Sequence, residues 1–289
     1  MTTFDLGNIG FGCMKASFNN PDDATRESTI EAIHVALDNG VRLFDTADIY
    51  APTWDTFGHN ELLVAEAVRT HPKGSSAIIA TKGGITRKPG EVWGRNASLD
   101  YLLRAVEASA GRLRVSKIDL WQHHRLDPNL PFEQQLENLA GLRQRGLIEH
   151  LGVSNYSAKQ LRRAVEIVGP IATVQNQLSL AYRNEQDVLE VCEEFDITYL
   201  PWSPMKGAHA RDATQELRDF AAHHSASTYA VAVAWLRSLS PKVVPLPGVT
   251  RSASVLDAIS GLNLQLLSAP PLSDTLPMDA ELLSDQPRV

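Results

Sequence analysis

With 289 residues, 43% of them apolar and 21% charged, the chain has the make-up of one globular unit with a sizeable core rather than a fibre or a disordered segment. A formal charge of −7 without any basic run argues against a nucleic-acid partner, and no stretch of 18 apolar residues marks a membrane span. The opening MTTFDLGNIGFG lacks the charged and apolar regions of a secretory signal, and Cys13 and Cys192 read as core thiols, so a cytoplasmic enzyme or binding protein is expected.

Short β-rich runs alternate with helical patterns along most of the chain. Ile9–Cys13 opens the series, and Asp23–Asn39 follows with Ile30, Ile33 and Leu37 at helical spacing and Gly40 as a stop. Val41–Phe44 reads as the second strand. Ala77–Ala80 is the third, ahead of a helix over Ser98–Leu113 whose Leu102, Leu103, Val106 and Leu113 share one face. Ile118–Trp121 precedes a helix over Phe132–Arg145. Glu149–Val153 precedes a helix capped by Ser157, and Ala172–Gln175 one capped by Asn184. Ile197–Leu200 leads into a longer excursion ending in the helix Thr228–Leu239, and Val243–Leu246 is followed by Ser252–Gly261.

Eight strands with helical crossovers and no linker predict an α/β protein whose parallel sheet closes into a (β/α)8 TIM barrel. An open doubly wound sheet would place a Gly-rich phosphate turn after an early strand; Gly7, Gly10 and Gly12 miss that spacing and start ahead of the strand. Residues 1–267 are expected to form the single barrel domain. Residues 268–289, rich in Pro, Ser and Asp, are expected to be a tail that lies on the surface or is partly disordered.

Such a barrel builds its site at the carboxyl ends of its strands. Those ends carry Asp45 to Tyr50 after the second strand, Thr81 to Gly84 after the third, and His123-His124-Arg125 after the fourth. The later ends carry Ser154-Asn155, then Gln175-Asn176-Gln177, then Trp202-Ser203-Pro204, then Pro247 to Arg251. An ammonium at Lys82 needs an anion beside it, and Asp45 on the neighbouring strand is the expected partner. A Tyr50 hydroxyl near that ammonium is expected to have a lowered pKa and to protonate a developing alkoxide, while a neutral histidine orients the carbonyl oxygen. Lys82 as the Schiff-base nucleophile of an aldolase is the competing reading, and pairing with Asp45 argues against it. Neighbours on a strand face opposite sides, so His123 and His124 are not expected to share a metal ion, and no metal site is expected.

The set Asp45, Tyr50, Lys82 and His124 resembles the catalytic tetrad of the aldo-keto reductases. Phe44 to Ala47 with Gly58-His59-Asn60-Glu61 is similar to their FDTAxxYGxGxNE segment. Ala80–Lys82, Ile118–Arg125, Gly152–Asn155, Val174–Gln177, Pro201–Met205 and Pro245–Arg251 fit further motifs of that family in order. The resemblance spans about residues 5–262, and within the family it is similar to the bacterial branch that contains pyridoxal reductases.

The resemblance implies reduction of an aldehyde or ketone by NADP(H), favoured over NAD(H), with Tyr50 as general acid. Lys82 and Asp45 would tune Tyr50, and His124 would position the carbonyl. It implies a nicotinamide carboxamide site of Ser154, Asn155 and Gln175, a stacking Trp202, and a pyrophosphate path along Ser203, Met205 and Lys206. Gly248, Thr250 and Arg251 are implied at the adenosine-phosphate end, followed by Ser254 and Asp257; related proteins carry Glu-Asn where Asp257-Ala258 stands here. Trp54, Phe57 and Trp93 are candidate walls of a substrate pocket, with ordinary loop packing as the alternative. Arg125 is a candidate for binding a substrate anion, with a salt bridge to Asp127 as the alternative. Some barrels of the family are cofactor-binding regulatory subunits without significant turnover, which is a third reading.

Overall fold

The computed structural model describes residues 4–18, 22–209, 213–248 and 250–271. Among them the strands are β1 (Gly10–Gly12), β2 (Leu43–Asp45), β3 (Ile78–Gly83), β4 (Ile85–Lys88), β5 (Val92–Arg95), β6 (Ile118–His123), β7 (Ile148–Ser154), β8 (Thr173–Gln175) and β9 (Thr198–Tyr199). Seven of them form one parallel sheet in the order β1-β2-β3-β6-β7-β8-β9, while β4 and β5 pair separately as an antiparallel hairpin. The chain is thus an α/β protein whose main sheet is wholly parallel.

The helices are α1 (Asp23–Asp38), α2 (His59–Arg69), α3 (Leu99–Leu113), α4 (Phe132–Gln144), α5 (Ala158–Val168), α6 (Gln186–Phe195), α7 (Gln215–His223), α8 (Thr228–Leu239) and α9 (Ser252–Ser260). Consecutive helices pack on one another from α1 to α6, α8 packs on α7 and α9, and α9 returns to α1. None of the described helices is long and apolar enough to cross a membrane.

The expected eighth strand, Val243–Leu246, is present as an extended segment rather than a regular strand. Tyr199 N donates to Lys242 O and Val244 N to Tyr199 O on one side; Gly10 N donates to Pro245 O and Gly12 N to Pro247 O on the other. This segment therefore bonds to β9 and to β1, the two edges of the seven-stranded sheet. Leu43, Ile78, Ala80, Leu120, Leu200, Val244 and Leu246 meet in one buried cluster that Leu6 joins. It leaves so little room at Gly10 that a Cβ there would lie 2.8 Å from both Leu43 Cδ2 and Leu246 Cδ2. A larger cluster lies between the sheet and the helices and takes up Cys13 and Cys192 as free, buried thiols.

Local chemistry explains most element ends. Ser98 caps α3, and Ser157 forms a reciprocal capping box with Gln160 at α5, as its type predicts. Asn184 does not cap α6. Glu185 holds the N-cap position without a side-chain bond to the helix, because its carboxylate turns inward to Asn176 Nδ2 at 2.8 Å and Tyr199 Oη at 3.3 Å. Among the described α-helices and strands, α2, α7 and the β4–β5 hairpin lie outside the sequence expectations. In α2 the buried face includes Asn60 and Glu61, which breaks the apolar period that would reveal a helix. The tail expected over 268–289 falls outside the described residues from 272 onward.

Candidate active site

Asp45 ends β2, Lys82 is the second-last residue of β3, and His124 follows β6 directly. Tyr50 lies in the turn after β2, and the backbone of that turn is pinned on both sides. Thr46 N donates to Ala80 O, Asp48 N to Lys82 O, and Asn60 N to Tyr50 O. The Asn60 side chain completes the anchorage, accepting from Thr46 Oγ1 at 2.6 Å and donating to Cys13 O at 2.8 Å and Ser17 Oγ at 2.7 Å.

The four side chains converge. Lys82 Nζ donates to Asp45 Oδ2 at 2.6 Å, to Thr46 O at 2.8 Å and to Tyr50 Oη at 3.2 Å. The His124 ring stands edge-on to Tyr50, with centroids 5.8 Å apart at 82°. All four residues are buried, Lys82 completely. Burial works against the Lys82 ammonium, but the Asp45 carboxylate and the Tyr50 oxygen outweigh it and hold its pKa above the ordinary lysine value. For Tyr50 the outcome differs from the sequence expectation of a lowered pKa. Burial is the largest influence, and the Lys82 charge offsets only part of it, so the phenol is pushed above the usual tyrosine range and stays protonated. Burial, then Lys82 and Arg125, push His124 well below the ordinary histidine value, so its ring is neutral. Its Nδ1 has no hydrogen-bond partner among the described residues. His123 faces away, with Nδ1 2.9 Å from Tyr156 Oη.

Next to this set lies a polar chain across the ends of β7, β8 and β9. Trp202 Nε1 donates to Asn155 Oδ1 at 3.1 Å, Asn155 Nδ2 to Ser154 Oγ at 2.7 Å, and Ser154 Oγ to Gln175 O at 2.7 Å. Gln175 Nε2 then donates to Asp45 Oδ1 at 2.9 Å, joining the chain to the Asp45–Lys82–Tyr50 set. Asn155 and Ser203 hold φ values of 61° and 51°, left-handed conformations that non-glycine residues seldom adopt outside special sites. No group of three or more His, Cys, Asp or Glu side chains suited to a metal ion occurs among the described residues.

The profile of the Aldo/keto reductase family matches residues 8–270. The chain belongs to that family. An uncharacterised oxidoreductase of Schizosaccharomyces pombe is 32% identical over 268 residues, covering 91% of this chain and 84% of the relative. Among solved structures, the glycerol dehydrogenase of Gluconobacter oxydans is 26% identical with a TM-score of 0.77, covering 99% of this chain and 92% of that one. An aldo/keto reductase of Klebsiella pneumoniae, solved in complex with NADP and acetate, is 22% identical with a TM-score of 0.74 and 95% coverage of both chains, a likeness of fold.

In this aldo/keto reductase the remaining candidate residues are spread along the same rim. Met205 is buried and Lys206 half-buried after β9, while Ser203 is exposed. Gly248 bridges to Gly12, Thr250 O accepts from Ser28 Oγ at 3.0 Å, and the exposed Arg251 starts α9 with Ser254 one turn on. Asp257 is already engaged: both carboxylate oxygens lie within 2.9 Å of Ser227 Oγ, which in turn caps α8. Phe57 and Trp93 pack with Tyr50 in one apolar cluster, whereas Trp54 is exposed. Arg125 is half-buried and its charge reaches Tyr50 and His124; Asp127 accepts from the backbone of Ala97 and Asn129.

The end of β1 went unread in the sequence. It contributes Phe18, edge-on to Tyr50 at 5.8 Å, and Lys15, whose stem approaches Gly248. The strand-end rule, applied to the first strand as to the others, would have found both.

Proposed function

We propose that the protein reduces an aldehyde or ketone to the alcohol with NADPH, on a closed (β/α)8 barrel whose eighth stave is the segment 242–248. The observation that carries the reading is the 2.6 Å and 3.2 Å pair of bonds from Lys82 Nζ to Asp45 and Tyr50. The barrel closure rests on the hydrogen bonds of 242–248 to both β1 and β9.

The residues along the rim fit a nicotinamide dinucleotide. Ser154, Asn155 and Gln175 offer amide and hydroxyl groups suited to a carboxamide, and Trp202 offers an aromatic face held in place by Asn155. Lys15, Ser203, Met205 and Lys206 follow along the path of a pyrophosphate, and Gly248 lies between that path and the adenosine end. Thr250 and Arg251 suit a 2′-phosphate, because a guanidinium can grip a phosphate with two donors; they favour NADP(H) over NAD(H). The NADP complex of the Klebsiella relative supports the same choice. Asp257, tied to Ser227, contributes to this end through the placement of α9. When bound, the nicotinamide supplies the hydride that the carbonyl carbon accepts.

The protein's own groups handle the proton. The Tyr50 hydroxyl, protonated throughout the neutral range, donates to the carbonyl oxygen as negative charge develops there. The tyrosinate left behind faces the Lys82 ammonium, which Asp45 keeps charged. His124, neutral, can bond the substrate oxygen without competing as an acid. A paired, protonated Lys82 is a poor amine nucleophile, which disfavours Schiff-base chemistry. The test is NADPH oxidation against a carbonyl panel that includes pyridoxal, run with the wild type and Tyr50→Phe. Tyr50→Phe is expected to bind NADPH normally and to lose turnover by orders of magnitude. Equal turnover in the two would remove Tyr50 as proton donor, and no turnover in the wild type would favour a cofactor-binding regulatory protein.

A further inference from the structure

The β4–β5 hairpin leaves the end of β3 and folds over the turn that holds Tyr50. Its central cation, Arg87, is not exposed: only 5% of its side chain meets solvent. It pairs with Glu91 in the turn of the hairpin, and Nη1 and Nη2 donate to Ala51 O at 2.7 Å and Pro52 O at 2.9 Å. Its guanidinium also lies 4.8 Å from the centroid of Trp93 and 5.8 Å from that of Phe18. Glu91 completes the tie by accepting from Trp54 N at 3.0 Å. One buried cation therefore joins the loop after β1, the loop after β2 and the hairpin.

What those three segments present beside Tyr50 is apolar. Phe18 stands edge-on to the Tyr50 ring, Ile49 and Ile85 are buried in the same apolar cluster, and Met14, Phe57 and Trp93 pack against that cluster. A buried charge with a carboxylate, two carbonyls and two ring faces around it is satisfied within the protein, and its work is to hold its neighbours in place.

Resting on the carbonyl-reductase reading, we propose that Arg87 is a positioning residue that fixes an aromatic wall of Phe18, Phe57 and Trp93 beside Tyr50, and that this wall selects flat, apolar carbonyl compounds such as aromatic aldehydes over polyhydroxylated ones. A planar ring gains contact area against such a wall. A sugar-like chain would bury hydroxyls there without partners, which costs it roughly tenfold or more in selectivity.

The test compares benzaldehyde with glyceraldehyde for the wild type, Arg87→Met and Arg87→Lys, with NADPH affinity measured separately by fluorescence titration. The wild type is expected to favour benzaldehyde by about tenfold or more in kcat/KM. Arg87→Met is expected to raise KM for benzaldehyde about tenfold, to leave kcat within about threefold and NADPH binding within about twofold, and to change glyceraldehyde turnover little. Arg87→Lys, which keeps the charge and a donor, should recover part of the loss. Should Arg87→Met fail to fold, Trp93→Leu, a half-buried position in the same wall, is expected to move benzaldehyde KM in the same direction. A wild type that favours glyceraldehyde, or an equal loss on both substrates, overturns this proposal while leaving the reductase reading intact. A wild type that oxidises NADPH with no carbonyl overturns both.

Discussion

Gln175 and Asp45 are 130 positions apart in the chain, yet Gln175 Nε2 donates to Asp45 Oδ1 at 2.9 Å. That bond couples the end of β8 to the end of β2 across the sheet. Asp45 thereby has three donors: Lys82 on Oδ2, and Gln175 and Gln122 on Oδ1, the last at 3.2 Å. The same Gln175 receives Ser154 Oγ on its backbone oxygen, so the polar chain that starts at Trp202 ends on the lysine partner.

Replacing Gln175 by Leu removes this link and leaves Gln122 as the one neutral side-chain donor to the Asp45 carboxylate among the described residues. The expected cost is about 1–2 kcal/mol of stability, the usual penalty for a buried acceptor losing a partner, together with weaker NADPH binding. Urea unfolding and calorimetric titration check the two effects, and a variant unchanged in both would show that the Gln175–Asp45 bond joins nothing of consequence.

The Asp45–Lys82 pair predicts an asymmetry between single and double variants. Asp45→Asn leaves a fully buried ammonium without its counter-charge, at a cost of about 3–5 kcal/mol. Asp45→Asn combined with Lys82→Met removes the charge as well, and should recover much of that loss while remaining inactive. A double-mutant cycle by chemical denaturation measures it. Strictly additive losses would mean that the pair is not coupled.

His124 is expected to stay uncharged through the whole neutral range. Its folded-state pKa lies well below 6.5, so the stability it contributes is fully present above pH 6.5 and is lost progressively as pH falls from there down through the depressed folded value. Nitrogen-15 NMR, with His124→Gln for assignment, should show the ring neutral from pH 6 to 8. A His124 titration near pH 6.5 would contradict the proposed carbonyl-orienting role.

The sequence carried the alternation of strands and helices and the convergence of Asp45, Tyr50, Lys82 and His124. Both follow from period and from the rule that strand ends hold the chemistry, and neither needs side-chain detail. The turn after β2 was legible as a motif but not as a helix start, because Asn60 and Glu61 are buried in α2 for their bonds rather than their hydrophobicity. The hairpin was illegible for a different reason: its two four-residue strands sit inside what reads as one long β-to-α connection, with the turn residues Gly90 and Glu91 at φ 77° and 60°. The Tyr50 pKa was misjudged in sign because a charge partner can be named from sequence while the depth of burial cannot. Asp48 illustrates the same limit. Its carboxylate is buried, and burial followed by the Glu61 charge pushes it well above the carboxylate range, which no spacing pattern announces.

Glu185 offers the sharpest pH test of the fold outside the tyrosine site. Burial pushes its carboxyl up from 4.5 to about 7, only partly offset by the bonds from Asn176 and Tyr199. A raised folded-state value means that the native protein holds a proton the unfolded chain has released. The stability from this group is therefore fully present below pH 4.5 and is lost as pH rises through about 7, a change on the order of 3 kcal/mol. Glu185→Gln keeps an acceptor for Asn176 and abolishes the titration. The depressed His123 and His124 give the opposite slope, but they are common to both proteins and cancel in the comparison. Unfolding free energies measured at pH 5 and pH 8 should then fall less in Glu185→Gln than in the wild type, so that the variant gains relative stability at the alkaline end. Parallel curves would place Glu185 in its ordinary ionised state, and Asn176, whose carbonyl accepts from Trp202 N at 2.9 Å, would have to be held by Tyr156 and its neighbours instead.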